Sequence, residues 1–552
     1  MSFSQDSLAA WFKPPMLYIP NASRIDAWLA ALLPVLCLLP FLDKAVNIDD
    51  PMFIWSAQQI LKDPFDFYGF HVNWYGYSLD RADLVNQNPP GVAYYLAVAG
   101  ALFGWSERAL HAAMLLPAAM VGWGCYRLAQ HLCPYPLTAV LTSVLTPVFL
   151  VSAGTLMSDI LMLAFYVWAV VLWIEGLEGN RKCRLALAGL LVALAVLVKY
   201  VGLSLFGLLG LYGWLHQRRP GAWLFYLLAA LVPMVAFELY THHLYGHGLI
   251  GGAIDYSDKN KILNHSQIFV GILFLGGCIL SPVFYAPRLW QPRILWIIGL
   301  ILIVGVPLLS LVSVGDRHSS MWFFIHLAVF LIAGCQVLAL AILDLHWRRD
   351  AVGWLLFCWV LGIFVFAVFL NWTVNSRSLL PMLPAVGILV ARRLETQAAK
   401  PTVDWRWIMP PMLAGVVAVT VLAQDAAWAN SIRATSRRLM EEYGNTLSGG
   451  TVWFQGGWGF QYYMQQQGAR KIQSDKLEVN TGDFIVVSTH GYFNILYGPG
   501  IRQIANWQIP VSRWGTTVNL QRNAGFYSSR RGSFPYFFGW AKDIYLIYRV
   551  SQ

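Results

Sequence analysis

Charge is what this sequence has least of. Charged side chains make up 12% of its 552 residues, where an average soluble domain carries about 25%. With 57% hydrophobic residues and a mean hydropathy of +0.54, that shortage excludes an ordinary soluble globular protein and implies an integral membrane one. Cysteine is also sparse. The 7 cysteines (Cys37, Cys125, Cys133, Cys183, Cys278, Cys335 and Cys358) lie in or beside apolar runs, and none follows Trp428. No spacing resembles a metal knuckle, so neither a zinc site nor a disulfide framework is indicated. Met1 to Ser23 lacks the basic, apolar, small-residue order of a cleaved signal peptide, so the first span is expected to be retained. No internal repeat and no low-complexity segment is visible.

Long apolar runs are abundant. Segments able to cross about 30 Å of hydrocarbon recur near 26–43, 107–127, 137–153, 157–174, 185–200, 202–216, 222–244, 266–286, 294–314, 320–343, 351–371, 378–392 and 407–425. A shorter run at 91–104 decides the topology. Basic residues gather in alternate loops: Arg181, Lys182 and Arg184; Arg218 and Arg219; Arg288 and Arg293; Arg348 and Arg349; Arg392, Arg393, Lys400 and Arg406. The positive-inside rule makes those loops cytoplasmic, together with Lys13, Arg24 and Arg127. Run 91–104 then lies on the outer face as a juxtamembrane helix. About thirteen spans result, with the N-terminus inside and the C-terminus outside. The formal net charge of +10 is largely this orientation signal, so nucleic-acid binding falls away. Two units are expected: a transmembrane domain over residues 1–426, with an outer loop at 44–106, and a small extracytoplasmic α/β domain over 427–552. The second begins with a helix-like stretch, Ala427 to Tyr443, and continues in short β-rich runs.

Several polar residues stand where that topology predicts none. Asp49 and Asp50 sit side by side where the first apolar run ends. Acids at a membrane edge are costly and mark a site, and a like-charged neighbour raises a carboxyl toward a useful general-base range; Asp49-Asp50-Pro51 also suits a helix start. Asp159 opens a span on the same outer side, with helix capping again the alternative. Lys199, inside Val196 to Gly202, either snorkels to the interface or binds an anion, and with Arg377, inside Val374 to Pro381, it places cations on a face where the rule expects few. A phosphate is the simplest ligand for both. The loop Asp66 to Gly76, followed by Asn86 to Pro90, is rich in aromatics that either anchor it in the interface or line a sugar pocket. His242, His243 and His247 offer a metal cluster, though interfacial histidines are commoner.

In this order the motifs carry a resemblance. The acidic pair after the first span, Asn88-Pro89-Pro90-Gly91, Ser158-Asp159-Ile160, the Gly189-to-Lys199 span ending in Lys199-Tyr200-Val201-Gly202, and Ser376-Arg377-Ser378-Leu379-Leu380-Pro381 together resemble the GT-C class of polyprenyl-phosphate-dependent glycosyltransferases. The likeness is to bacterial relatives of the protein O-mannosyltransferases and of the lipid A aminoarabinose transferase. It covers residues 45–385. Asp50 replaces the usual Glu, and Ser378 the usual Tyr. The resemblance implies transfer, usually inverting, of a sugar from a polyprenyl (undecaprenyl) phosphate to an acceptor hydroxyl of a lipid, glycan or protein. The reaction would run on the outer face of a bacterial cytoplasmic membrane. Asp49 would be the base, with Asp50 beside it and Asp159 supporting base or acceptor. Lys199 and Arg377 would hold the donor phosphate, and Tyr68, His71, Trp74, Tyr75, Asn88 and Tyr200 would line the substrate. No cofactor is implied, and no divalent ion is expected with a monophosphate donor. The rival is a transporter or flippase of lipid-linked sugars, which calls for charges near the bilayer midplane and for internal repeats.

Overall fold

The computed structural model describes residues 24–74, 76–261, 266–312, 321–396, 405–444, 450–473, 478–489 and 500–551. The expectations for Met1 to Ser23, Lys13, Tyr75 and Lys400 lie outside them. Among the described residues, helices dominate the first four-fifths of the chain. Seven are long and apolar enough to cross a membrane: Arg24–Phe41, Glu107–Leu132, Asp159–Glu178, Ala222–Tyr245, Met321–Arg348, Ala351–Leu370 and Arg406–Tyr443. The chain is therefore a multi-pass helical membrane protein.

The remaining apolar runs are helical too, but shorter or bent. Pro136–Val144 and Pro147–Ala153 form one pair broken by 64°, and Ser266–Cys278 and Ser281–Leu289 another broken by 87°. Proline explains both breaks. Pro147 and Pro282 stand just inside the second helix of each pair, where a ring is tolerated at a start but not in an interior. Thr146 caps its helix by accepting from the Phe149 N–H at 3.4 Å. The juxtamembrane run is a helix over Gly91–Phe103.

Tight helix contact depends on small residues. A Cβ on Gly276 would meet the Phe330 carbonyl at 1.7 Å, and one on Gly334 would meet the Ile272 carbonyl at 2.2 Å. Backbones at that distance pack only through glycine, the close approach used between membrane helices.

The two ends of the bundle differ in chemistry. At one end Glu175 takes Arg127 at 2.7 Å and Arg184 at 2.6 Å, while Arg392 bonds Asp344 at 2.9 Å. At the other end lie Asp49, Asp159, Lys199 and Arg377. Asp159 and Glu178 bound one helix of 20 residues, about 30 Å long at 1.5 Å rise per residue. The paired basic loops and the unusual acids are thus a bilayer apart.

The last helix runs unbroken over Trp405–Tyr443, so the boundary read at 427 falls inside a helix that leaves the bundle and enters the C-terminal unit. A short hairpin pairs β1 (Val72–Asn73) with β2 (Ser78–Leu79) in the loop at 44–106. The C-terminal unit is built on a mixed sheet of β3 (Val452–Gln455), β4 (Arg470–Lys471), β5 (Phe484–Ser488), β6 (Ile501–Ser512) and β9 (Ala541–Val550), in the order β4-β3-β5-β9-β6. β3 runs parallel to β4 and β5, whereas β9 runs antiparallel to β5 and β6. A small ribbon, β7 (Val518–Asn519) with β8 (Ala524–Gly525), reaches back toward the bundle.

A buried ion pair in the bundle anchors the contact with the C-terminal unit. Lys44 bonds Asp425 at 2.6 Å, with both side chains 2% exposed or less, and also donates to the Gly154 carbonyl at 2.8 Å. The Asp425 carboxylate further accepts from Thr517 at 2.6 Å and from the Tyr527 hydroxyl at 3.0 Å. Removing one member of such a pair strands the other charge, so Asp425→Ala is expected to lower stability by about 3–5 kcal/mol. The check is the thermal midpoint of the purified protein in detergent; a midpoint equal to wild type would show the pair to be dispensable.

Candidate active site

Backbone geometry sets each charged side chain. Asp49 stands at the start of the helix Asp50–Lys62, yet its carboxylate makes no capping bond. Ile48 before it adopts φ +49°, a left-handed conformation that a β-branched residue enters only under strain. That twist turns the Asp49 side chain into the interior space instead of over its own helix end. The helix Lys182–Val198 stops at Lys199, whose backbone is extended before a 3₁₀ turn over Tyr200–Leu203. The break lets the ammonium leave the helix line. Gly91 packs here: a Cβ would lie 2.6 Å from the Leu197 carbonyl, which brings Asn88-Pro89-Pro90 against the Lys199 turn. Arg377 lies in a 3₁₀ helix over Ser376–Met382, capped by Asn375 accepting from the Ser378 N–H at 2.9 Å. Ser378, where the resembled family has Tyr, also donates its hydroxyl to Asn375 at 3.0 Å.

These residues, far apart in sequence, meet. Lys199 donates to one oxygen of Asp159, and Arg377 sits 3.4 Å from the other. Arg377 also lies 3.5 Å from Asp49. Asp159 is wholly buried, and its bonds go to two cations, not to the start of its own helix. Both capping alternatives raised by the sequence are therefore without a bond to support them at Asp49 and Asp159.

A cavity of about 1220 Å³ opens onto this cluster, lined by Asp49, Lys199, Tyr200, Arg377, Trp74 and Asn88 among others. Its other end is apolar, walled by Gly207, Leu208, Cys358, Gly362, Ile363 and Phe366 from two facing helices. The Arg377 Nε and the buried Tyr200 hydroxyl have no hydrogen-bond partner among the described residues. Buried polar atoms are rarely left so, and here both border the cavity that a ligand would fill.

The acidic pair divides its duties. Asp49 faces the cavity, with its side chain 41% exposed. Asp50 is wholly buried and outside the lining; its carboxylate accepts from the Asn47 N–H at 3.1 Å and the Leu156 N–H at 2.9 Å. Burial pushes the Asp50 carboxyl up to about 6 against the pull of Lys44. Asp49 is likewise raised, by removal from water, with Arg377 opposing.

Of the expected lining residues, Trp74, Asn88 and Tyr200 border the cavity. Tyr68 is buried behind it and donates to the Asn88 carbonyl at 2.6 Å, fixing that residue's backbone. His71 is turned away, 2.6 Å from Ser78 and 3.4 Å from Asp80. His247 pairs with Asp83 at 2.9 Å, and no three His, Cys, Asp or Glu side chains converge as metal ligands among the described residues. Among the lining residues that sequence reasoning missed are Trp372, Trp458, Tyr527, Arg530 and Arg531 from late in the chain. Nothing in their local patterns distinguishes them from ordinary loop aromatics and surface arginines.

Fold and site together define a multi-pass helical membrane protein with a charged cavity at one end of the bundle. Residues 87–240 match the family described as Dolichyl-phosphate-mannose-protein mannosyltransferase, a family of glycosyltransferases. The resemblance read from the motifs thus holds over the segment carrying Asn88, Asp159 and Lys199. No curated protein matches the chain. Among solved structures, ArnT from Cupriavidus metallidurans bound to undecaprenyl phosphate is similar at 14% identity and TM-score 0.45, over 85% of this chain and 94% of that one. The apo oligosaccharyltransferase of Archaeoglobus fulgidus is similar at 15% identity and TM-score 0.45, over 81% of this chain and 64% of that one. The archaeal AglB from the same organism, in complex with an inhibitory peptide and a dolichol-phosphate, gives 12% identity and TM-score 0.46, over 84% and 69%.

Proposed function

We propose that the chain transfers a sugar from a polyprenyl phosphate, of undecaprenyl type, to an acceptor hydroxyl at the extracytoplasmic face of a bacterial cytoplasmic membrane. One observation carries the reading. A single cavity joins a carboxylate (Asp49), two cations (Lys199 and Arg377) and an apolar channel between membrane helices. A lipid phosphate sugar has that sequence of chemistry: chain, phosphate, then reacting carbon.

The step balances without a metal. Asp49 takes the proton from the acceptor hydroxyl as its oxygen attacks the anomeric carbon from the face opposite the phosphate. The carbon–oxygen bond to phosphate breaks, its electron pair goes to the phosphate, and the lipid monophosphate leaves with one more negative charge. Lys199 and Arg377 stabilise that charge as it develops, which is where preorganised cations contribute most. Asp159 holds the Lys199 ammonium and faces Arg377 more loosely, and Asp50 holds the Asn47 to Leu156 contact behind Asp49. The channel and the outer aromatics Trp74 and Tyr200 bind the two ends of the donor. A divalent ion is not required.

The positive-inside bias supports the orientation, because the basic loops lie at the end of the bundle remote from the cavity. A flippase is disfavoured by the same placement: its charges belong near mid-span, and these gather at helix ends. Mass spectrometry of envelope glycolipids from cells with and without the gene tests the reading. Loss of one sugar-modified species, with the unmodified acceptor accumulating, is expected. Unchanged glycolipids, polysaccharide and glycoprotein together would refute it.

A further inference from the structure

We propose that the C-terminal unit completes the catalytic cavity, and that Tyr527 is the positioning residue through which it does so, by fixing the Arg377 guanidinium between Asp49 and Asp159. The inference rests on the cavity being the lipid-phosphate site, and adds to it a residue from the far end of the chain.

Arg377 is not locked by its carboxylates. Its contacts to Asp49 at 3.5 Å and Asp159 at 3.4 Å are longer than the 2.7–2.9 Å of a well-made charge-assisted bond. Against the guanidinium lie the Met157 sulfur, 2.5 Å from Nη1, and the Tyr527 ring, with its centroid 5.5 Å from the guanidinium carbon, within cation–π range. The ring is itself held hard. Its hydroxyl donates to Asp425, 3.1 and 3.0 Å from the two carboxylate oxygens, where Lys44 and Thr517 are also bound. Backbones flank the contact on either side: Ser376 N–H donates to the Phe526 carbonyl at 2.9 Å, and Ser529 N–H to the Val374 carbonyl at 2.8 Å. The Arg377 segment and the Tyr527 segment are therefore tied together.

The same unit grips the approach to Asp49. Ala45 N–H donates to Asn430 at 2.9 Å and Val46 N–H to the Tyr463 hydroxyl at 2.7 Å. A Cβ on Gly459 would lie 2.4 Å from the Val46 carbonyl. Base and phosphate cation, over 300 residues apart in sequence, thus take their relative position from the C-terminal unit. A tyrosine kept only for packing would stabilise the fold without setting phosphate affinity.

Binding of undecaprenyl phosphate to the purified full-length protein in detergent, followed by native mass spectrometry, separates these cases. Tyr527→Leu is expected to bind about tenfold more weakly, the scale of a desolvated cation–π contact, while Tyr527→Phe, which keeps the ring, stays within about threefold. In an Arg377→Ala background Tyr527→Leu should cost nothing further, because coupled residues are not additive. Binding by Tyr527→Leu equal to wild type, or the same loss in both backgrounds, overturns the proposal. If Tyr527→Leu does not fold, Tyr527→Met is put through the same cycle. A wild-type protein that binds the lipid no better than Lys199→Ala refutes instead the phosphate site on which the proposal stands, and the proposal with it.

Discussion

Asp49→Asn is expected to abolish sugar transfer while leaving the fold intact. A positioned general base contributes roughly 10²–10⁴ in rate, and the amide cannot accept the acceptor's proton. Stability should scarcely change. The Asp49 side chain is 41% exposed and its contact with Arg377 is a long 3.5 Å, the kind of pair worth about 0–1 kcal/mol. The helix loses no cap, because Asp49 makes no capping bond. Single-turnover transfer, measured beside the thermal midpoint, checks both halves; turnover at the wild-type rate removes Asp49 from the mechanism. The pH dependence follows with a definite sign. A base works deprotonated, and the Asp49 carboxyl is raised from the ordinary carboxylate value of 3.8. The acidic limb of kcat/KM should therefore fall off above that value, with activity declining as pH drops through the raised pKa. A limb at the ordinary carboxylate position would mean that another group titrates.

Much of this cluster was legible one residue at a time, for a reason rooted in the bilayer. Charge near hydrocarbon is expensive, so Asp49, Asp159, Lys199 and Arg377 each announced themselves as charges where span and orientation rules allow few. Their shared side followed from counting spans, and the geometry brings all four onto one cluster. The division of labour within the acidic pair was not legible. Adjacent residues in a chain look equivalent, and only the left-handed turn at Ile48 sends Asp49 to the cavity and leaves Asp50 facing the backbone of Asn47 and Leu156. Tyr527 was invisible because one aromatic in a stretch that also holds Phe526, Phe534, Tyr536 and Phe537 has no local signature of its own. Its significance comes wholly from Asp425 and Arg377, both remote in sequence. Hydropathy similarly marked the runs at 137–153 and 266–286 as spans but not the bends within them, which Pro147 and Pro282 impose. Composition shifts at residue 427, but the helix Trp405–Tyr443 carries straight through, since a helix changes its exposed face without breaking its hydrogen bonds.

Lys199→Ala should weaken use of the donor far more than use of the acceptor. An ammonium has three protons to give. One goes to Asp159, and the side chain, 20% exposed and bordering the cavity, has others to offer a phosphate. A hydrogen bond to a charged group is worth about 1.5–3 kcal/mol, so kcat/KM for the lipid phosphate sugar should fall by roughly 10- to 150-fold. The acceptor Michaelis constant should move by less than about threefold, since no acceptor contact is lost. Part of the fall will appear in kcat, because the leaving phosphate gains charge in the transition state and loses one of its two stabilisers. Lys199→Arg tells charge from shape. It restores the cation but spreads it over a planar fork, so partial recovery in kcat with incomplete recovery in donor KM is expected. Equal changes in both Michaelis constants would instead mark Lys199 as a strut that keeps Asp159 in place, and would leave Arg377 as the phosphate's cation in the cavity.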